Sequence, residues 1–244
     1  MSELKNTLEN FFRRENLSCL ACGKDLFDGS FLCAACQENF LFNDGAVCLK
    51  CGRKQAEEEM CMECRSFLPA FEMARSALCH TGSGKKMLLR YKKGRRHLEE
   101  FLGKQLFLTY QTHFSHVAFD GVTFVPLSPK DYAARGFSPA EDLSKILSKL
   151  TGLPLFPLLK KVRKTRKQKE LPAPARAKNL KNCFACADAK GKILLLIDDV
   201  MTTGATANEA VNALKAKGAK AVYLLTATSV PYQPPLSTEI RADE

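Results

Sequence analysis

From residue 71 onward, apolar positions along the chain arrive in two rhythms. Short apolar-rich runs predict strands at 71–79, Phe119–Leu127, 192–197 and 221–228, with a lesser one near 153–159. Between them the spacing becomes helical, at 97–110, at Thr206–Lys217, and at 138–150, where Leu143, Ile146, Leu147 and Leu150 share a face. Gly82 and Gly84 predict a turn, the basic stretch after it leads into the 97–110 helix, and a loop with Arg135-Gly136-Phe137 is predicted after the Phe119–Leu127 strand. Strands alternating with helices predict an α/β domain with a mostly parallel sheet flanked by helices. At the start, Leu4, Leu8, Phe11 and Phe12 predict an amphipathic lead-in over 1–18. Residues 160–181 are charged and aperiodic, carry Pro172 and Pro174, and predict a long mobile loop. The Pro-rich stretch 231–244 predicts a loose tail.

One junction carries chemistry. The run Ile193 to Ile197 stops at two carboxylates, Asp198 and Asp199, followed by Thr202, Thr203, Gly204, Ala205 and Thr206 at the start of a helix. A strand that hands over to a helix through such a turn aims backbone N–H groups and the positive helix end at one point, which suits a phosphate. Gly204 lets the backbone approach the anion without a Cβ. The carboxylates accept hydrogen bonds only and suit sugar hydroxyls. Phosphate beside diol describes a ribose 5-phosphate. Ligands of parallel sheets bind at the carboxyl ends of strands, where this pair lies.

The eleven cysteines are clustered. Eight form four CxxC pairs within 19–64: Cys19/Cys22, Cys33/Cys36, Cys48/Cys51 and Cys61/Cys64. Each pair offers two thiolates from one turn, and two turns complete a tetrahedral zinc site. Two structural zinc sites are expected, joined either sequentially or with the first pair crossed to the third. A segment this small buries little core, so metal would supply its folding free energy. A fifth pair, Cys183/Cys186, has no partner pair near it and reads as packing, as does Cys79.

Length and charge refine the picture. The 244 residues allow one α/β domain and a small module. No apolar run reaches the roughly 18 residues of a membrane span, and the amino-terminal sequence lacks signal-peptide order, so a cytoplasmic protein with reduced thiols is expected. The formal charge of +11 falls to about +7 with two zinc thiolate centres. The excess gathers in Lys85, Lys86, Arg90, Lys92, Lys93, Arg95 and Arg96, and in 160–169. Such clusters attract phosphates of a substrate or of nucleic acid. Lys92, Lys93, Arg95 and Arg96 are candidates for contact with DNA. With no tryptophan in the chain, no stacking platform for bases is evident.

The Asp198–Thr206 stretch resembles the binding loop of the type I phosphoribosyltransferases. That resemblance implies a type I phosphoribosyltransferase-like domain over 69–230 that holds 5-phosphoribosyl-1-pyrophosphate with magnesium, Asp198 and Asp199 on the ribose hydroxyls and Thr202–Thr206 on the 5-phosphate. With a cysteine module over 19–68, the chain is similar to the ComF family, linked to natural DNA uptake in bacteria. The similarity rests on Leu88-Leu89-Arg90-Tyr91-Lys92-Lys93-Gly94, Val125-Pro126-Leu127, Arg135-Gly136-Phe137, Thr165 with Gln168, and Arg176 with Asn179-Leu180. Ser138-Pro139 departs from the family's Asn-Gln; Ser138 suits a helix cap and Pro139 its first position. By resemblance, Pro126, Leu127, Ser128 and Arg135 lie near the pyrophosphate, and Lys164, Thr165 and Gln168 belong to a loop that closes over it. The family also implies single-stranded DNA and a competence helicase as partners. The competing expectation is a non-catalytic factor that binds nucleic acid or docks a helicase with the same fold.

Overall fold

The computed structural model describes residues 18–162 and 183–234. The amphipathic lead-in before residue 18 and most of the charged segment, including Lys164, Thr165, Gln168, Arg176 and Asn179, lie outside the described residues, as does the tail from 235.

The cysteine module repeats one unit. A knuckle closed by a short bridge, Ser18 with Asp25 and then Val47 with Lys54, is followed by a helical turn whose N-cap is itself a cysteine. These turns are α1 (Ala34–Gln37), capped by Cys33, and α2 (Met62–Ser66), capped by Cys61.

The α/β domain runs β1 (Ala74–Cys79), α3 (Gly82–Lys92), α4 (Leu98–His113), β2 (Gly121–Phe124), α5 (Pro129–Arg135), α6 (Pro139–Thr151), β3 (Leu159–Lys161), β4 (Phe184–Cys186), β5 (Ile193–Met201), α7 (Ala205–Ala216) and β6 (Ala221–Ser229). Four strands form a parallel sheet in the order β1-β6-β5-β2. The β3-β4 pair is a separate antiparallel ribbon.

The unbroken apolar run of β5 follows from cover on both faces. Leu195 and Ile197 pack with Leu88, Leu102, Leu143 and Leu147, on the side of α3, α4 and α6. Leu194 and Leu196 pack with Val211 and Leu214 of α7. All four β5 side chains are fully buried. Truncating one, as in Leu196→Ala, costs about 2–5 kcal/mol. The α7 face also contains Cys48, Cys51, Cys61, Cys64 and Phe71. The second half of the cysteine module therefore shares its core with the sheet, while Cys19, Ala21, Leu26 and Cys36 form a small cluster of their own. Buried Asn43, between the two knuckles, pins the junction: its Nδ2 donates to Gly52 O at 2.6 Å, and its backbone N–H donates to Ala77 O.

Four expectations change. The predicted turn at Gly82 and Gly84 is the first turn of α3; its buried Met87, Leu88 and Tyr91 are hidden among lysines in the sequence. The loop before Arg135 contains helix α5, whose signal is present: Ser128 accepts from Asp131 N–H, and Pro129 opens the helix. The strand near 153–159 reduces to a bridge between Val122 and Leu155, and the ribbon strand begins only at Leu159. The start of the tail is held in place, because Tyr232 N–H donates to Lys54 O at 2.8 Å.

Candidate functional site

The two carboxylates lie where the sheet opens. The last β2 partner of β5 is Phe124, opposite Ile197, whereas β6 pairs on to Met201. From Asp198 onward β5 keeps one neighbour, and the vacated side becomes a cleft of about 430 Å³. The acids are thus inside the strand rather than beyond its end.

The cleft brings together Asp198, Asp199, Thr202 and Thr206 with Pro126, Leu127 and Arg135, all singled out in the sequence. It adds Lys92 from α3 and Lys161 from β3, whose position in the cleft no local signal gave. Ser128 does not line it; its hydroxyl caps α5 and donates to Asp131. Thr203, Gly204 and Ala205 form the turn itself, with Gly204 as N-cap of α7 at φ +76°. That left-handed backbone is a separate reason for glycine, because a Cβ there would meet nothing closer than Met201 Sδ at 3.7 Å. Among the described residues, no protein group accepts from the backbone N–H groups of Thr203, Gly204 or Ala205. Ser138 holds the cap position of α6, yet its buried hydroxyl makes no cap bond.

Electrostatics divide the acid pair. Lys92 Nζ donates to Asp199 Oδ1 at 2.7 Å, and both side chains are largely buried. Asp198 Oδ1 accepts from the Asp199 N–H at 2.8 Å. Desolvation in the cleft wall, then the like charge of Asp199, push the Asp198 carboxyl up to about 8 against the pull of Lys92 and Lys161. With Lys92, Arg135 and Lys161 facing two carboxyls, the cleft is cationic and suited to a polyanion that also carries hydroxyls.

The remaining basic candidates separate by environment. Arg96 pairs with Glu99 and Asp142 and stacks on Phe137 at 4.4 Å. Arg90 Nη1 donates to the carbonyls of Cys19 and Leu20 at 2.7 and 2.8 Å, holding the first knuckle. Lys85, Lys86, Lys93 and Arg95 are exposed and, among the described residues, form no ion pair.

The cysteines gather sequentially: Cys19, Cys22, Cys33 and Cys36 in one group, Cys48, Cys51, Cys61 and Cys64 in the other, each with its sulfurs within 4.8 Å of one another. The crossed arrangement is thereby excluded. A zinc tetrathiolate with arms of about 2.3 Å has edges of about 3.8 Å. The Cys22–Cys33 and Cys51–Cys61 sulfur separations are 3.8 and 3.9 Å, so both groups fit structural zinc. Cys48 Sγ also accepts from the N–H groups of Cys51 and Cys61 at 3.4 and 3.3 Å, as a thiolate requires. Cys183 and Cys186 belong to neither group.

Two family descriptions match the chain: a double zinc ribbon domain over 14–65 and a phosphoribosyl transferase domain over 132–237. Competence protein F of Haemophilus influenzae is 28% identical over 227 residues, covering 88% of this chain and 96% of that protein. The chain is similar to the competence proteins F and ComFC. Competence protein ComFC of Bacillus subtilis is 26% identical, with 77% of this chain and 79% of that one covered. DNA utilization protein YhgH of Escherichia coli K12 is 33% identical over 43% of this chain and 47% of that one. Among solved structures, a glutamine phosphoribosylpyrophosphate amidotransferase from B. subtilis matches at TM-score 0.37 and 23% identity, covering 53% of this chain and 26% of its own. Among the described residues, no helix is long and apolar enough to cross a membrane.

Proposed function

We propose that the cleft binds 5-phosphoribosyl-1-pyrophosphate and that the protein is a phosphoribosyltransferase of the ComF type. The observation that carries this reading is the meeting of Asp198, Asp199, Thr202 and Thr206 with Lys92, Arg135 and Lys161 in one cleft. In this reading the α7 turn receives the 5-phosphate through its N–H groups and the helix dipole. Asp198 and Asp199 accept from the ribose 2- and 3-hydroxyls, which fixes the ring. Lys92, Arg135 and Lys161 face the pyrophosphate and stabilise the negative charge that develops as its bond to C1 breaks. A nucleophile then takes C1 and pyrophosphate leaves. Magnesium, when bound, would neutralise the pyrophosphate and hold its oxygens in place.

The names of the relatives support a place in competence and DNA uptake. The exposed stripe Lys85, Lys86, Lys93 and Arg95 favours a second role for the same molecule, contact with single-stranded DNA, and a competence helicase is the fitting protein partner.

Calorimetric titration with the pyrophosphate donor and magnesium tests the first reading. Wild type binds, and a combined Asp198→Ala and Asp199→Ala variant does not. A folded wild type that releases no heat and shows no saturable binding ends it.

A further inference from the structure

Arg53 is a charged side chain only 5% exposed, inside the cysteine module. Each of its three guanidinium nitrogens has a partner. Nε faces Cys51 Sγ at 3.5 Å, and Nη2 faces Cys61 Sγ at 3.8 Å and the Glu63 carboxylate. Nη1 leaves the module and donates to the backbone carbonyl of Thr202 at 3.2 Å. The Tyr232 ring covers the guanidinium at 5.1 Å, and Tyr232 is itself held by the Lys54 carbonyl.

We propose that Arg53 is a positioning residue that couples the second cysteine cluster to the anion turn, so that the cleft's affinity for a phosphorylated sugar depends on that cluster. The inference rests on the phosphoribosyl reading of the cleft. Thr202 lines the cleft and opens the turn. A trans peptide points its carbonyl and the next N–H in opposite directions. A donor fixed on the Thr202 carbonyl therefore aims the Thr203 N–H away from Arg53 and holds it there before any ligand arrives. The thiolates and Glu63 anchor one side of the planar fork, and its other arm reaches the turn. A lysine, with one ammonium, cannot span both. Among the described residues the N–H groups of Thr203, Gly204 and Ala205 have no protein acceptor, so Arg53 orders donors that an anion would use.

The test uses Arg53→Lys, with Tyr232→Leu as a variant that keeps Arg53 and its partners Cys51, Cys61 and Glu63. Both are checked for about two zinc ions per chain. Hydrogen exchange of the 202–206 amides is followed without ligand, and ribose 5-phosphate binding is measured by calorimetry. Arg53→Lys should speed exchange of that segment and weaken ribose 5-phosphate by about tenfold each. Tyr232→Leu should give smaller changes in the same direction. Unchanged exchange in a zinc-loaded variant overturns the coupling. If wild type does not bind ribose 5-phosphate, the cleft reading falls, while the ligand-free exchange still judges the Arg53 contact separately.

Discussion

Lys92 and Asp199 form a largely buried ion pair at 2.7 Å across 107 residues of sequence. The lysine ends α3 and the aspartate lies in β5, so the pair ties the end of that helix to the cleft wall. Removing the cation strands a carboxylate that is 10% exposed. Lys92→Met should lose about 1–3 kcal/mol in urea melts. Binding of the pyrophosphate donor should weaken further than the stability loss explains. Wild-type stability in this variant would mean that water already satisfies Asp199.

Asp198 predicts a pH dependence of opposite sign to the usual paired carboxylate. Its ordinary value near 3.8 rises to about 8 in the fold. Between those values the folded chain keeps a proton that the unfolded chain has lost, so this group's contribution to stability falls as pH rises. Asp198→Asn removes that dependence. The variant should gain on wild type as pH climbs from 5 to 8, reaching about 1–3 kcal/mol, less than a full shift implies because the cleft admits water. Parallel melts across pH check it, and a constant difference would contradict the raised carboxyl.

The shared core makes the second cysteine cluster the more sensitive one. Gly52 has φ +66°, and a Cβ there would lie 2.2 Å from the Ala74 carbonyl oxygen on β1. Gly52→Ala should cost roughly 3–5 kcal/mol through strain and backbone overlap, and reduce zinc content. Gly29→Ala is the control, since its φ is +71° but nothing lies within 4 Å of the added carbon. It should cost about 1–2 kcal/mol and keep both metals. Thermal melts with elemental analysis separate the two.

Contact with DNA should follow exposure rather than the whole basic segment. Neutralising Lys85, Lys86, Lys93 and Arg95 to Gln should flatten the salt dependence of single-strand binding by about 0.7 in slope for each phosphate that is no longer neutralised. Donor binding in the cleft should be unaffected. An unchanged slope in fluorescence titrations would remove this stripe from the interface.

Much of this was legible locally. The apolar run ending in Asp198-Asp199, the hydroxyl-and-glycine turn and the CxxC pairs each specify geometry over a few residues, and the structure gathers the cysteines in sequence order. Helix α3 is less legible because lysines interrupt its apolar face, whereas Ser128, Pro129 and Asp131 mark the start of the short α5.

Which long side chains enter the cleft was decided only in three dimensions. Lys92, Arg95 and Arg96 are near neighbours in one basic stretch, yet Lys92 meets Asp199, Arg95 stays exposed, and Arg96 stacks on Phe137. Nothing in local composition separates them, because a flexible cation takes its role from whatever charge, ring or solvent the packed elements bring within reach. By itself the sequence determined the strand, the turn and the metal knuckles, whose physics is short-range. Packing of helix on sheet, and of the cysteine module on both, decided where the cleft opens and which charges face each other in it.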